Sequence, residues 1–174
     1  ILASGSPRRK ELLQMLEIPF EVLVSDTKEV ITKNEQAEVT KELSYQKAMA
    51  VAGQVEEGII IGADTVVSID GKILGKPADT EEAREMIYKL QGKSHMVYTG
   101  VTVIAKSGDM VSASSFAEGT KVNVAPMTEN EIEAYISTDE PYDKAGAYGI
   151  QGLFGKFIEG IKGDYFNVVG LPIH

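Results

Sequence analysis

The sequence has no cysteine, no tryptophan and only two histidines, His95 and His174. A chain without cysteine has no disulfide scaffold, no thiolate nucleophile and no cysteine-ligated zinc, and two imidazoles leave little room for histidine-based metal chemistry. Carboxylates would have to carry any metal. No apolar run approaches the roughly 20 residues of a membrane span, and the first residues lack the basic-then-apolar pattern of a secretory signal. A cytoplasmic protein without a membrane partner is the expectation. Positive charge is also scarce: 17 Lys and Arg face 26 Asp and Glu, a formal net charge of -9. Non-specific affinity for nucleic acid comes mostly from neutralising backbone phosphates, so a nucleic-acid partner is disfavoured. What remains is 174 residues with 43% hydrophobic content, enough for a real core in one domain spanning 1–174.

Against that acidic background the opening ILASGSPRRKELL carries three successive basic residues, Arg8, Arg9 and Lys10. Ile1 and Leu2 read as the end of a buried strand. Ser6 reads as a helix cap, Pro7 as the first helical residue, and Leu12, Met15 and Leu16 as the apolar stripe. The arginines then fall in the first turn, where the helix dipole repels cations by up to about 1 kcal/mol each. A bound anion would resolve the conflict. Small residues such as Ser4 let backbone N–H groups approach a phosphate, and guanidinium forks match its oxygens. The alternative is that both arginines point into water or pair with acidic neighbours, at little gain or cost. No GxxxxGK[ST] loop and no GxGxxG fingerprint is present.

Further along, IPFEVLVSD sets Phe20, Val22 and Val24 in the alternation of a half-buried strand ending at Ser25 and Asp26. A helix is predicted from about Ala37 to Val55, with Val39, Leu43, Ala50 and Val51 inward and Lys47 within it. GIIIGADTVVSIDGKILGKP then reads as an apolar strand, an Asp70-Gly71 hairpin turn and a return strand. Asp79 with Glu82 resembles a capping box ahead of the stripe Ala83, Met86, Ile87 and Leu90, closed at Gly92. A meander follows, with Val97, Thr99, Val101 and Val103 on one face, then a turn in KSGDM and a second strand. Thr128 and Glu131 form another capping box before Ile132, Tyr135 and Ile136. The tail is dense in glycine and mixes strand-like pieces with turns. These elements predict an α/β fold, a mixed sheet with flanking helices.

Several residues stand out chemically. Asp64, directly after the run Ile59-Ile60-Ile61, lies where open α/β sheets place ligands, beyond the carboxyl end of a strand. It could ligate a metal, act as a base or cap a turn with Thr65. Asp26 and Glu29 are further candidate carboxylates. Lys47 and Lys76 are candidate cations, Lys76 being held between Gly75 and Pro77. In DKAGAYGIQG, Lys144 and Gln151 stand among three glycines, a density that signals positive-φ turns or close approach of backbone to a ligand.

Taken in order, LASGSPRR, QKAMAVA, GADTVV, LGKPAD, EPYDKAGAYGIQG and GDYFNVVGLPI resemble the Maf family of nucleoside triphosphate pyrophosphatases, and the match runs from Ile1 to Ile173. The resemblance implies an elongated mixed sheet with two lobes around a central cleft, as in the inosine triphosphate pyrophosphatases. It implies hydrolysis of a nucleoside triphosphate to monophosphate and pyrophosphate with a divalent cation, Mg²⁺ or Mn²⁺. By position, Arg8 matches the family's substrate-contacting arginine with Arg9 beside it, and Asp64 matches the proton acceptor. Thr65 and Gln151, with Arg8, match positions associated with substrate choice. Lys47 and Lys76 match cleft lysines, and Glu29 matches an early acidic residue that could join Asp64 on the metal. The DKAGAYGIQG segment resembles the subgroup acting on dTTP and UTP. A homodimer is a family-level expectation, and a septum or division regulator that binds nucleotides without turnover is the alternative function.

Overall fold

The computed structural model describes residues 1–24, 26 and 28–174. Among the described residues, five α-helices and five strands build an α/β fold in which one sheet, ordered β2-β1-β3-β4-β5, is flanked by helices. The strands are β1 (Glu57–Ile69), β2 (Lys72–Leu74), β3 (Ser94–Ser107), β4 (Met110–Val124) and β5 (Ile158–Lys162). Strand β2 pairs antiparallel with β1, and β5 antiparallel with β4. Leu2 adds parallel bridges to Val22 and Ile61, which makes the pairing mixed. The helices are α1 (Pro7–Gln14), α2 (Gln36–Ala52), α3 (Thr80–Leu90), α4 (Glu129–Ile136) and α5 (Tyr165–Val169). None of them is long and apolar enough to cross a membrane.

The chain forms two compact units. The first takes 1–65, 99–118 and 170–174, and the second takes 66–98 and 119–169. The first unit has an aliphatic core in which Ala3, Ala48, Val51, Ala52, Ile60 and Ile104 are buried together. Helix α2 lies very close to the strands of this unit: a Cβ at Gly62 would fall 2.4 Å from the Ser44 carbonyl oxygen, and one at Gly100 2.3 Å from that of Thr40. Only glycine admits backbone at that distance. The second unit packs the faces of α3 and α4 onto aromatic residues, with Phe154 fully buried among Tyr135, Tyr148 and Phe157 at ring separations of 4.8–5.6 Å.

Local signals that depend on neighbouring residues form as expected. Asp70 and Gly71 both take positive φ, 51° and 76°, as a two-residue hairpin loop with right-handed strand twist requires. Thr128 and Glu131 complete a reciprocal capping box. Asp79 accepts from the Glu82 N–H, but the Glu82 carboxylate reaches back to Ala78 N at 2.7 Å, one residue before the cap. The stripe of α3 is buried and its chain reverses at Gly92, φ 64°.

Three expectations are corrected. Helix α1 buries Leu12 and Leu13, whereas Met15 and Leu16 are exposed because the helix ends at Gln14 and the apolar period stops with it. The strand expected around Phe20–Val24 reduces to one bridge at Val22, whose side chain is exposed together with that of Val24. Leu23, of the opposite phase, packs on the core; the expected end at Ser25 lies outside the described residues. Strand β1 does not stop before Asp64 but continues to Ile69, so the aspartate sits within a strand and not beyond its end.

Candidate functional site

Asp64 is the buried carboxylate of the first unit, 9% exposed in the middle of β1. Side chains alternate along a strand, so Asp64 shares the face of Ile60 and Gly62, the face against which α2 lies. The close approach at Gly62 brings the third turn of α2 onto that face, and Lys47 from that turn donates to Asp64 Oδ1. The same Lys47 Nζ meets Glu29 Oε1 at 3.1 Å. Two carboxylates thus converge on one positive centre. One arrives from a strand, the other from the polar segment ahead of α2.

Thr65 follows on the other face of β1 and joins a second network. The Arg9 guanidinium donates through Nε to the Gly170 carbonyl oxygen at 2.8 Å, through one terminal nitrogen to Ser4 Oγ at 3.1 Å, and through the other to Thr65 Oγ1 at 3.0 Å. Each of its three nitrogens therefore holds a different segment. Thr65 Oγ1 is also 2.8 Å from Oγ1 of the buried Thr99 on β3. Burial pulls the Arg9 guanidinium below its ordinary range, against the opposing pull of Asp64; Arg8 lowers it further, and Glu29 raises it. Arg8, Arg9, Asp64 and Glu29 consequently share one electrostatic neighbourhood.

This arrangement changes the meaning of the double arginine. Ser6 flanks α1 without a side-chain cap, and no acidic residue stands in the first turn. Arg9 is accommodated there by the carbonyl and hydroxyl acceptors around it and by the nearby carboxylates. Arg8, half-buried in the same turn, belongs to the same positive helix end.

The second unit carries Lys76 and Gln151, both exposed. Their segments are linked, because Gly146 N donates to the Gly75 carbonyl oxygen at 2.9 Å. Gly146 has φ 69° and abuts Val67, the positive-φ role expected of such a glycine. At Gly149 the close neighbour is the stem of Lys144, so there the backbone is approached by the protein's own side chain. Lys144 Nζ donates to the Glu140 carbonyl oxygen at 2.7 Å.

Within the first unit the structure brings together Ser4, Arg8, Arg9, Glu29, Lys47, Asp64 and Thr65. Asp26 is exposed. Two members of the network had no functional reading in the sequence, Thr99 and Gly170. Thr99 reads as one more β-branched strand residue, and Gly170 contributes a carbonyl oxygen, which no residue type signals. Among the described residues no group of three or more acidic or histidine side chains forms a metal cage. Magnesium, however, binds through one or two carboxylates together with substrate phosphates. Asp64 and Glu29, already gathered on one cation, fit that requirement.

Comparison with known proteins gives a consistent picture. The family model described as Maf-like protein matches residues 1–174. A dTTP/UTP pyrophosphatase of Bacillus cytotoxicus is 52% identical over 174 residues, covering 99% of this chain and 89% of the relative. Two dTTP/UTP pyrophosphatases of Bacillus cereus strains are 49% and 50% identical with the same coverage.

Proposed function

The chain belongs to the Maf family, and from that premise we propose that it is a hydrolase converting nucleoside triphosphates, dTTP and UTP foremost with modified pyrimidine analogues, to the monophosphate and pyrophosphate. The observation that carries the reading is the convergence of Asp64 and Glu29 on Lys47 beside the Arg9–Thr65 network. It is an anion-handling site with carboxylates at its heart. The reading takes 1–174 as one catalytic domain, acting as a cytoplasmic homodimer.

In this mechanism water attacks the α-phosphorus and pyrophosphate departs. Asp64 orients the water and accepts its proton; direct ligation of the metal by Asp64 is the competing role. Asp64 and Glu29 would hold the divalent cation, Mg²⁺ or Mn²⁺, which supplies charge neutralisation on the phosphate oxygens when bound. Arg8, Lys47 and Lys76 offset the negative charge that develops on the leaving group, and such fixed charge favours the transition state over the ground state. Arg9 joins Arg8 in gathering the triphosphate, with Ser4 and Thr65, both hydrogen-bonded to it, at the same binding site. Gln151 presents an amide donor and acceptor to the base. Uracil and thymine show a ring N–H between two carbonyls, whereas cytosine replaces one carbonyl by an amine and leaves a fixed amide mismatched.

The test is turnover of a panel of nucleoside triphosphates with and without Mg²⁺ or Mn²⁺, the products resolved by chromatography. Monophosphate and pyrophosphate from dTTP and UTP, dependent on the cation, are expected. Diphosphate and phosphate would place the attack at the wrong phosphorus, and binding without any turnover would favour a nucleotide-sensing regulator.

A further inference from the structure

Gln151 is exposed, and an exposed amide discriminates between bases only if the backbone beneath it is fixed. Glu140 supplies that fixation. Its side chain enters the loop from below: Oε2 accepts from Leu153 N at 2.6 Å, and Oε1 from Phe154 N at 3.2 Å. These N–H groups open a short 3₁₀ turn, Leu153–Phe157, directly after Gln151-Gly152. The carboxylate therefore satisfies donors that the turn itself leaves unpaired.

Two further contacts show that the loop is built around this group. A Cβ at Gly152 would lie 2.3 Å from Glu140 Oε2 and 2.4 Å from its carboxyl carbon, so a side chain there would displace the carboxylate from this position. The Tyr135 hydroxyl lies 3.2 Å from Glu140 Oε1 and 3.0 Å from the Ala147 carbonyl oxygen. Both neighbours are acceptors, so the single phenolic proton serves the two of them. Burial, reinforced by the Glu140 charge, pushes the Tyr135 phenol well above its ordinary range, so it stays a donor. The loop is held at Ala147 before Gln151 and at Leu153 and Phe154 after it, through one carboxylate and one phenol. Tyr135 in turn packs on Phe154 at 5.1 Å between ring centres.

We propose that Glu140 is a positioning residue for base selectivity: with Tyr135 it sets the loop that presents Gln151, and thereby the preference for uracil and thymine over cytosine. This rests on the reading of Gln151 given above. Neither Glu140 nor Tyr135 touches the substrate in this scheme.

The experiment compares wild type, Glu140→Gln, Gln151→Ala and the double variant. Two ratios are read: affinity for α,β-imido dUTP over α,β-imido dCTP by calorimetry, which needs no turnover, and kcat/KM for UTP over CTP. Glutamine fills the same space but replaces one acceptor oxygen with a donor that faces N–H and O–H groups. Glu140→Gln is expected to lower both ratios about tenfold, Gln151→Ala at least as much, and the double variant no further than Gln151→Ala alone. If Gln151→Ala lowers the ratios while folded Glu140→Gln keeps them, or loses activity equally on both nucleotides, the positioning role is overturned. If Gln151→Ala itself leaves the ratios unchanged, the reading of Gln151 falls first and takes the proposal with it. Should Glu140→Gln fail to fold, Tyr135→Phe keeps the packed ring and removes only the hydroxyl. A smaller drop in the same ratios is then expected, and unchanged ratios overturn the proposal.

Discussion

The two units solve the problem of placing polar groups in opposite ways. In the first, the candidate site side chains hold one another: Lys47 joins Asp64 to Glu29, and Arg9 joins Ser4, Thr65 and Gly170. The surrounding core is aliphatic, and hydroxyls continue the pattern, with Ser44, Thr102 and Ser115 linked in a chain at 2.8 Å per step. In the second unit the candidate groups Lys76 and Gln151 stand at the surface, and the core of that unit is rich in aromatic rings. A charge network fixes its members relative to one another but couples their failures. A loop stapled onto an apolar core can lose its exposed side chain at little cost. Chemistry that needs several charges in register fits the first design; recognition that varies with one side chain fits the second.

The sharpest way to break the comparison is at Asp64. Asp64→Asn keeps the shape and removes the charge and basicity, and kcat should fall by about 10³-fold, within the range for loss of a general base. Near-normal kcat would remove Asp64 from the mechanism and leave the first unit's network a structural one.

The second unit should respond to pH through a residue outside the reaction. His95 is buried, its Nε2 lies 2.6 Å from the Tyr148 hydroxyl, and its Nδ1 has no hydrogen-bond partner among the described residues. Burial pulls its pKa from 6.5 down to about 4. A depressed value means that the unfolded chain binds the proton more tightly. The contribution is intact above pH 6.5 and is lost progressively as pH falls to about 4, amounting to about 3 kcal/mol at the end of that window. Carboxylates held low by hydrogen bonds, Glu131 at Thr128 and Glu133 at Arg84, lose their share only as pH drops below their ordinary value of 4.5. Urea unfolding from pH 7 to 4.5 should therefore show a decline that His95→Gln flattens; an unchanged slope in that variant would assign the decline elsewhere.

Two smaller effects sharpen the first unit's interlocking. Lys47→Met should destabilise the protein by about 2 kcal/mol, because Asp64 keeps a largely buried charge without its cation, and the double variant Lys47→Met, Asp64→Asn should recover part of that loss. Full additivity would show that the pair is not coupled. Arg9→Lys retains the charge but offers one ammonium where three nitrogens served three acceptors, so a loss of about 1 kcal/mol is expected in unfolding experiments. Stability equal to wild type would mean that the three contacts do not constrain the fold.

The double arginine shows how far the sequence could be read. Its position at a helix start was legible from Ser6-Pro7 and the following leucines, and the electrostatic conflict pointed to a bound anion, whereas the structure surrounds Arg9 with a carbonyl, two hydroxyls and nearby carboxylates of the protein itself. That Arg9 is held by Gly170, 161 positions away, was not legible, because the acceptor is a backbone carbonyl that any residue carries. Asp64 was marked by its place after three isoleucines, yet the strand was expected to end there; the continuation VVSI suits a strand equally well, and only pairing of Val67–Ile69 with β2 settles it. The alternation of Val22 and Val24 suggested a buried face that tertiary packing gave to Leu23 instead.

What the sequence determined by itself was everything governed by neighbours a few residues apart: the Asp70-Gly71 hairpin, the Thr128–Glu131 box, the stripe of α3, and the ordered motifs that identify the family. The tertiary structure decided which charges meet, and with them the site. Lys47 reaches Asp64 because Gly62 lets α2 lie against β1, and the Leu153–Phe154 turn is tied to Glu140 because Gly152 leaves space for its carboxylate. Those contacts depend on distances between segments far apart in the chain, which local propensity does not encode and close packing does.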